Sequence, residues 1–379
     1  MTGRSGPREA HRRRRSPRTA GLALGVALVV AACSGGPAPS PTGSPGGASR
    51  STGPGGGSTS PAASTRSIVL TASLPDDPVA TWHPVASIPF GPAAAGLGYR
   101  SAAGPLLPRA FAVDGDGSLW VLDVAKRRVA HFDPRGAFLD QVELPPSYSA
   151  RDLAFANGRL WVLFDGPAGG WVAPISNARV QPPTPARADG ARAMLVSLVP
   201  GPSLEPGPIV VTAGEEAVPG SGFQGPAWMA VPGTGQLHPL PGVPVGDGRA
   251  IDLSMRGDAG IAVGFMGGTA SAGDLRIDLR VLGAGRKIDA VASARPELAL
   301  PNALATYVML SPSQPEDQRR FGGGRYLLVV PNNGTTLRWQ RLPNPGIDDA
   351  WQARHLAPGP GGELYLMVIE ERGVRILRG

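Results

Sequence analysis

The sequence predicts an all-β chain folded as a six-bladed β-propeller of four-stranded antiparallel blades, a reading that rests on three observations. Short alternating strands are punctuated by Gly, Asp and Pro turns, as hairpin chemistry demands. Their first strands recur about every 40 to 57 residues, the period of propeller blades. No sustained apolar pattern of helical period interrupts them. A formal charge of +7 spread over 379 residues suggests an anionic partner at first sight. That reading does not survive the placement of the charges, as shown below.

The clearest blade begins with the strand Arg109 to Val113, turns through Asp114-Gly115-Asp116-Gly117, and returns as Ser118 to Leu122. Asp123 to Arg127 turns again, Arg128 to Phe132 is a third strand, and Asp133-Pro134-Arg135-Gly136 leads into a fourth, Ala137 to Leu144. A second copy starts at Arg151 to Phe155, turns at Asn157-Gly158 and continues through Leu160 to Leu163. The last copy comprises Arg354 to Ala357, Glu363 to Met367 and Gly373 to Leu377. Between them, Arg192 to Val196 pairs with Ile209 to Val211, and Arg249 to Leu253 with Gly260 to Val263. Ala305 to Met309 pairs with Tyr326 to Val330. The last copy is one strand short, and the alternating Ser67 to Ala72 is expected to supply it, closing the ring and removing an exposed edge.

The segment PRAFAVDGDGSLWVLD (residues 108–123), followed by RRVAHFDPRGAFL (127–139), resembles the repeats of NHL-type and related six-bladed propellers. The resemblance is specific over about 35 residues and looser over another 60 or so. It implies a fold, because that superfamily hosts scaffolds, sugar binders, hydrolases and lyases alike. Lactonase-type members hold a divalent cation with acid and amide side chains at the starts of blades. Here those slots hold arginine, which argues against a cation.

Five of the six first strands open with arginine: Arg109, Arg151, Arg192, Arg249 and Arg354. Two readings stay open. If the side chains converge on one rim of a central channel, their planar donors make a site for a small anionic ligand. If each instead bridges to an acid on a neighbouring blade, such as Asp123, Asp152 or Asp252, they are a repeated structural device. Trp120, Trp161 and Tyr365 occupy equivalent points of second strands and are expected in the core. No histidine spacing suggests a metal site, no cofactor is expected, and Asp114 to Gly117 reads as a hairpin turn rather than a calcium loop.

The N-terminus is of another kind. Arg12 to Arg15 and Arg18 precede an apolar run from Gly21 to Val30, then Ala31, Ala32 and Cys33, the only cysteine of the chain. This resembles the signal peptide and lipobox of a bacterial lipoprotein. The resemblance implies that residues 1–32 are cleaved, that the Cys33 sulfur carries a diacylglyceryl group, and that the protein is held on the outer face of the cell membrane. The apolar run is too short for a span, which needs about 20 residues. Two acyl chains satisfy the two-signal requirement for stable anchoring.

Residues 1–32 carry seven arginines and one acid, so the chain's net charge of +7 falls to +1 once they are gone. A global attraction to nucleic acid disappears with them. Residues 33–66 are nearly all Ser, Gly, Pro, Ala and Thr and are expected to form a disordered tether, leaving 67–379 as the propeller domain. With no nucleophile–base pair and no cofactor fingerprint in view, the expected role is non-enzymatic: a monomeric binding or scaffold module for a protein or a small anionic ligand. A propeller hydrolase or lyase acting on an extracellular small molecule or sugar is the alternative.

Overall fold

A computed structural model describes residues 66–72, 82–99, 106–156, 158–166, 169–186, 194–199, 209–213, 227–230, 237–239, 243–244, 250–256, 260–266, 275–281, 291–300, 302–310, 325–332, 337–343 and 355–379. All regular structure in them is β, arranged as a propeller-like set of small, mostly antiparallel sheets. Residues 61–379 form one compact unit. Cys33, its flanking segments, and the opening arginines Arg192, Arg249 and Arg354 lie outside the described residues.

The first sheet follows the sequence pattern closely, with strands Ala110–Val113, Leu119–Asp123, Arg128–Phe132 and Phe138–Glu143 in simple meander order. Its turns have the chemistry their residues imply. The Asp114 amide bonds the Ser118 carbonyl, and Gly117 takes the left-handed conformation at φ 85°. Asp114 and Asp116 accept hydrogen bonds from the backbone N–H groups of Gly115 and Ser118, so both carboxylates are turned onto their own hairpin. The bond from Ser118 also holds the Asp116 carboxyl below its ordinary pKa.

The expectation of six uniform four-stranded blades is met by four of the six sheets found among the described residues. The sheet that starts at Ser149–Ala156 gains a fifth strand, Thr184–Ala186, on the far side of Gly169–Ser176. The sheet containing Ala250–Arg256 also has five strands. Its extra member is Arg66–Ala72, the segment expected to close the last blade. That expectation is corrected. Arg66–Ala72 runs parallel to Leu275–Val281, in a register that sets Ile68 opposite Ile277 and Leu70 opposite Leu279. One further correction concerns Ala303–Leu310, read as a first strand. It is second in its sheet, behind Val291–Leu300, so Ala305 opens no blade.

The last sheet is nonetheless closed by an N-terminal strand. His83–Pro89 runs antiparallel to the final strand, Gly373–Arg378, from the His83–Arg378 pair to the Pro89–Gly373 pair. Two prolines hid this strand in the sequence, because proline cannot donate to a ladder. At an outer edge only one side of the strand is paired, and the missing donors cost nothing when they face away. Ile88, fully buried, joins Val374 and Ile376 in a core cluster with Phe111, Val121 and Phe132 of the first sheet. The closing strand therefore bonds to the last sheet by backbone and to the first by side chains.

First strands neighbour one another in chain order around much of the arrangement. Ala110–Val113 packs beside Ser149–Ala156, which packs beside Met194–Val199, while Val291–Leu300 meets Leu356–Pro358, which returns to Ala110–Val113. Trp161 and Tyr365 are buried as expected, and Trp120 is half-buried with its ring stacked on His131.

Gly373 is where the closing strand comes nearest. A Cβ there would lie 2.3 Å from the Ile88 carbonyl oxygen and 2.9 Å from the Pro89 Cα, both backbone atoms that cannot swing aside. Gly373→Ala should therefore push His83–Pro89 off the last sheet and cost about 2 kcal/mol, within the range of substitutions that force a backbone shift. Urea unfolding of the variant beside the wild type checks this, and an unchanged midpoint would show the closing strand to be dispensable.

Candidate functional site

The strand Leu119–Asp123 delivers a fully buried carboxylate to the end of the first sheet, and the next turn carries three cations in a row, Lys126, Arg127 and Arg128. Backbone geometry sends them to different tasks. The Asp123 carboxylate accepts from the Gly98 amide at 3.1 Å, the Lys126 amide at 3.2 Å and Arg128 Nε at 3.0 Å. The Arg128 guanidinium, 4 % exposed, also donates to the carbonyls of Ala94 and Gly96 and to Gln141 Oε1. Lys126 Nζ bonds the carbonyls of Ala93 and Gly96, and its pKa is pushed down by burial and by the neighbouring Arg128 charge. Two of the three cations thus pin the 91–98 loop, which leads from the closing strand toward the first sheet.

Arg127 behaves differently. Its φ of 55° is left-handed, a conformation that costs a residue with a Cβ about 1–2 kcal/mol. Its amide bonds the Val124 carbonyl, its own carbonyl receives the Leu144 amide, and the exposed residue lines a cleft. A non-glycine residue held in this region at a site wall is a common mark of function.

The cleft has a volume of about 350 Å³ and lies where the first two sheets meet. Arg109, partly buried just before the strand Ala110–Val113, lines it together with Arg127. Leu106, Val124 and Leu144 supply apolar wall, and Tyr148 an aromatic one. The Tyr148 ring is itself braced by Trp171 at 5.3 Å and Phe164 at 5.8 Å between centroids. Ser147 and Ser149 place exposed hydroxyl groups at the lip. Among the described residues that line it there is no acid.

Of the five opening arginines, Arg109 and Arg151 are among the described residues and Arg192, Arg249 and Arg354 lie outside them. Arg109 reaches the cleft. Arg151 sits at a register shift in its strand and forms an ion pair with Asp165 on the adjacent strand of the same sheet. Two of the acids named as possible partners, Asp123 and Asp152, have described side chains. Asp123 holds Arg128 and the 91–98 loop, while Asp152 accepts from the amides of Leu153 at 2.8 Å and Leu198 at 2.6 Å. The second of those bonds runs from the second sheet to the third, so a blade-to-blade link exists, but between carboxylate and backbone. Arg127 and Tyr148 were missed in the sequence, where the Lys126-Arg127-Arg128 run at a hairpin turn was their only signal. Among the described residues, no three His, Cys, Asp or Glu side chains converge as a metal site, and no helix is long and apolar enough to cross a membrane.

Residues 80–168 match a family described as a domain of unknown function (DUF7485). They include the closing strand, the first sheet and every described residue that lines the cleft. No curated protein matches the chain. Among solved structures, the chain is similar to hydrazine synthase of Kuenenia stuttgartiensis, with 15% identity over 69% of this chain and 74% of that one, at a TM-score of 0.41. It is similar to the PQQ-bound aldose sugar dehydrogenase of Streptomyces coelicolor, with 12% identity over 78% of this chain and 97% of that one, at a TM-score of 0.42. A DUF4221 member from Bacteroides vulgatus gives 10% identity, the same two coverages and a TM-score of 0.42. Likeness this remote assigns no activity.

The buried Asp123–Arg128 pair should dominate the stability of this end of the sheet. Asp123→Ala leaves a guanidinium buried beside an unpaired Gly98 amide and should cost about 3–5 kcal/mol, the usual loss on halving a buried pair. Thermal unfolding measures it, and a loss below about 1 kcal/mol would show that water had taken the place of the carboxylate.

Proposed function

We propose that this protein is an extracytoplasmic lipoprotein, held at the outer face of the cell membrane by a diacylglyceryl group on Cys33 and a tether ending near residue 66. Its 67–379 domain is a six-bladed propeller acting as a monomeric binding module for a small anionic ligand. The six sheets and the succession of neighbouring first strands support the blade count. The observation that carries the ligand class is the exposed Arg127, held at a positive φ in the cleft lining that also includes Arg109. Guanidinium groups offer planar paired donors to a carboxylate or phosphate, and such charge-assisted bonds are the strong ones. The site rests on Arg109 from the opening set and on Arg127, with Arg151 engaged by Asp165.

Arg127→Gly separates binding from folding, because glycine adopts φ near 55° without penalty. The variant should unfold no more easily than wild type, yet bind acetate and inorganic phosphate at least about tenfold more weakly, the equivalent of one charge-assisted hydrogen bond. NMR titration of the purified chain provides the readout, and equal affinity in both proteins would remove Arg127 from the site. For the anchor, metabolic labelling with palmitate should mark the wild type and fail to mark Cys33→Ala, which should be released to the medium. Equal labelling of the two would refute lipidation at Cys33.

A further inference from the structure

Resting on the membrane anchor of that reading, we infer that Arg66–Ala72 is a releasable strap. It leaves its sheet without unfolding the domain, and so gives the tether two lengths. The sheet it joins is complete without it. Val243–Pro244, Ala250–Arg256, Gly260–Met266 and Leu275–Val281 already make a four-stranded sheet like the others, and Arg66–Ala72 is a fifth member at one end. Among the described strands its one extensive neighbour is Leu275–Val281. The closing strand differs in this respect. His83–Pro89 pairs with the last sheet while its buried Ile88 packs into a core cluster shared with the first, so it cannot leave alone.

The pairing itself is of the kind that opens first. It is parallel, which is slightly weaker per residue than antiparallel pairing, and it is confined to one ladder between residues 66–72 and 275–281. One ladder of bonds, each of small net value in water, must offset the ordering of every residue in the strap. Strands at a sheet edge with few packed neighbours belong to the low-energy openings of a domain. Return to the same register is favoured by the Ile68–Ile277 and Leu70–Leu279 pairs, and by the cost of leaving the Leu275–Val281 edge uncovered.

Release changes the tether. With the strap seated, the chain between anchor and domain runs from Cys33 to Arg66, and once it lifts the chain runs from Cys33 to His83. At about 3.4 Å per residue, the greatest reach rises from roughly 110 Å to roughly 170 Å. The strap thus sets how far from the bilayer the domain and its cleft can work, without altering either.

Hydrogen exchange in the purified full chain tests the strap with no membrane present. The 66–72 amides should exchange at least about a hundredfold faster than those of Gly373–Arg378, at a rate unchanged by urea below the unfolding transition, as local opening requires. Equal protection of the two strands would overturn the inference, as would a shared dependence on urea. Ile68→Pro combined with Val69→Pro removes a ladder donor whichever of the two faces Leu275–Val281. That variant should lose protection over 66–72 and keep the urea midpoint of the wild type. A lowered midpoint would make the strand part of the fold rather than a strap.

A disulfide tests the two lengths. Ile68→Cys with Ile277→Cys sets two thiols opposite one another, at a spacing a disulfide can bridge, and oxidation holds the strap down. On a supported bilayer carrying the lipidated protein, the proline variant should stand about a fifth further from the surface than the oxidised cysteine variant, since the mean span of a Gly/Ser-rich chain grows as the square root of its length. Neutron reflectometry reads the height, and equal heights would overturn the two lengths. Protein that does not attach to the bilayer would refute the anchor, while the exchange data would still decide the strap.

Discussion

The buried charge pair between Asp123 and Arg128 is the constraint on which the rest of the described structure depends. An unpaired guanidinium at 4 % exposure is costly in a protein interior, and Asp123 at zero exposure is costlier still. Both are tolerable because their remaining bonding capacity is filled by backbone. Gly98 donates to the carboxylate, and the carbonyls of Ala94 and Gly96 accept from the guanidinium. Satisfying two charges therefore dictates the path of the 91–98 loop. Gly98 must be glycine for this, since a Cβ there would come within 2.8 Å of the Asp123 carboxylate.

The same few residues connect the closure of the domain to its cleft. The loop held by Lys126 and Arg128 follows directly on the closing strand, and the residue between them is forced into the left-handed region at the cleft wall. Loop-anchoring and cleft-lining positions alternate along this short run, with a single positive φ at the residue between them.

Much of the fold was legible because hairpin turns announce themselves. The first sheet appears within one residue of where Asp114-Gly115-Asp116-Gly117 and Asp133-Pro134-Arg135-Gly136 place its boundaries. Pairing between distant segments was not legible. Ser67 to Ala72 has the alternation of an edge strand, and alternation says which face a residue takes but not which sheet receives it. His83–Pro89 was passed over because its prolines argue against a strand, an argument that fails at an outer edge. Of the residues that line the cleft, Arg109 had been singled out by its position at a blade start. Arg127 was not, because nothing in a sequence distinguishes a cation that will bond carbonyls from its neighbour that will face solvent. Asp152 was read as one possible partner of an opening arginine, and its bond from the Leu198 amide had no signal in the sequence.

The closing strand also fixes the order in which this protein can become complete. His83–Pro89 is made early, but its partner Gly373–Arg378 is the last strand of the chain. A chain that emerges from its N-terminus, whether from a ribosome or through a membrane, holds that strand unsatisfied until the final residues arrive. Joining residue 83 to residue 378 closes a very long loop, and such distant pairings slow folding far more than they weaken the finished fold. This pairing is therefore a late event in folding, with His83–Pro89 and Gly373–Arg378 as the two halves of the clasp.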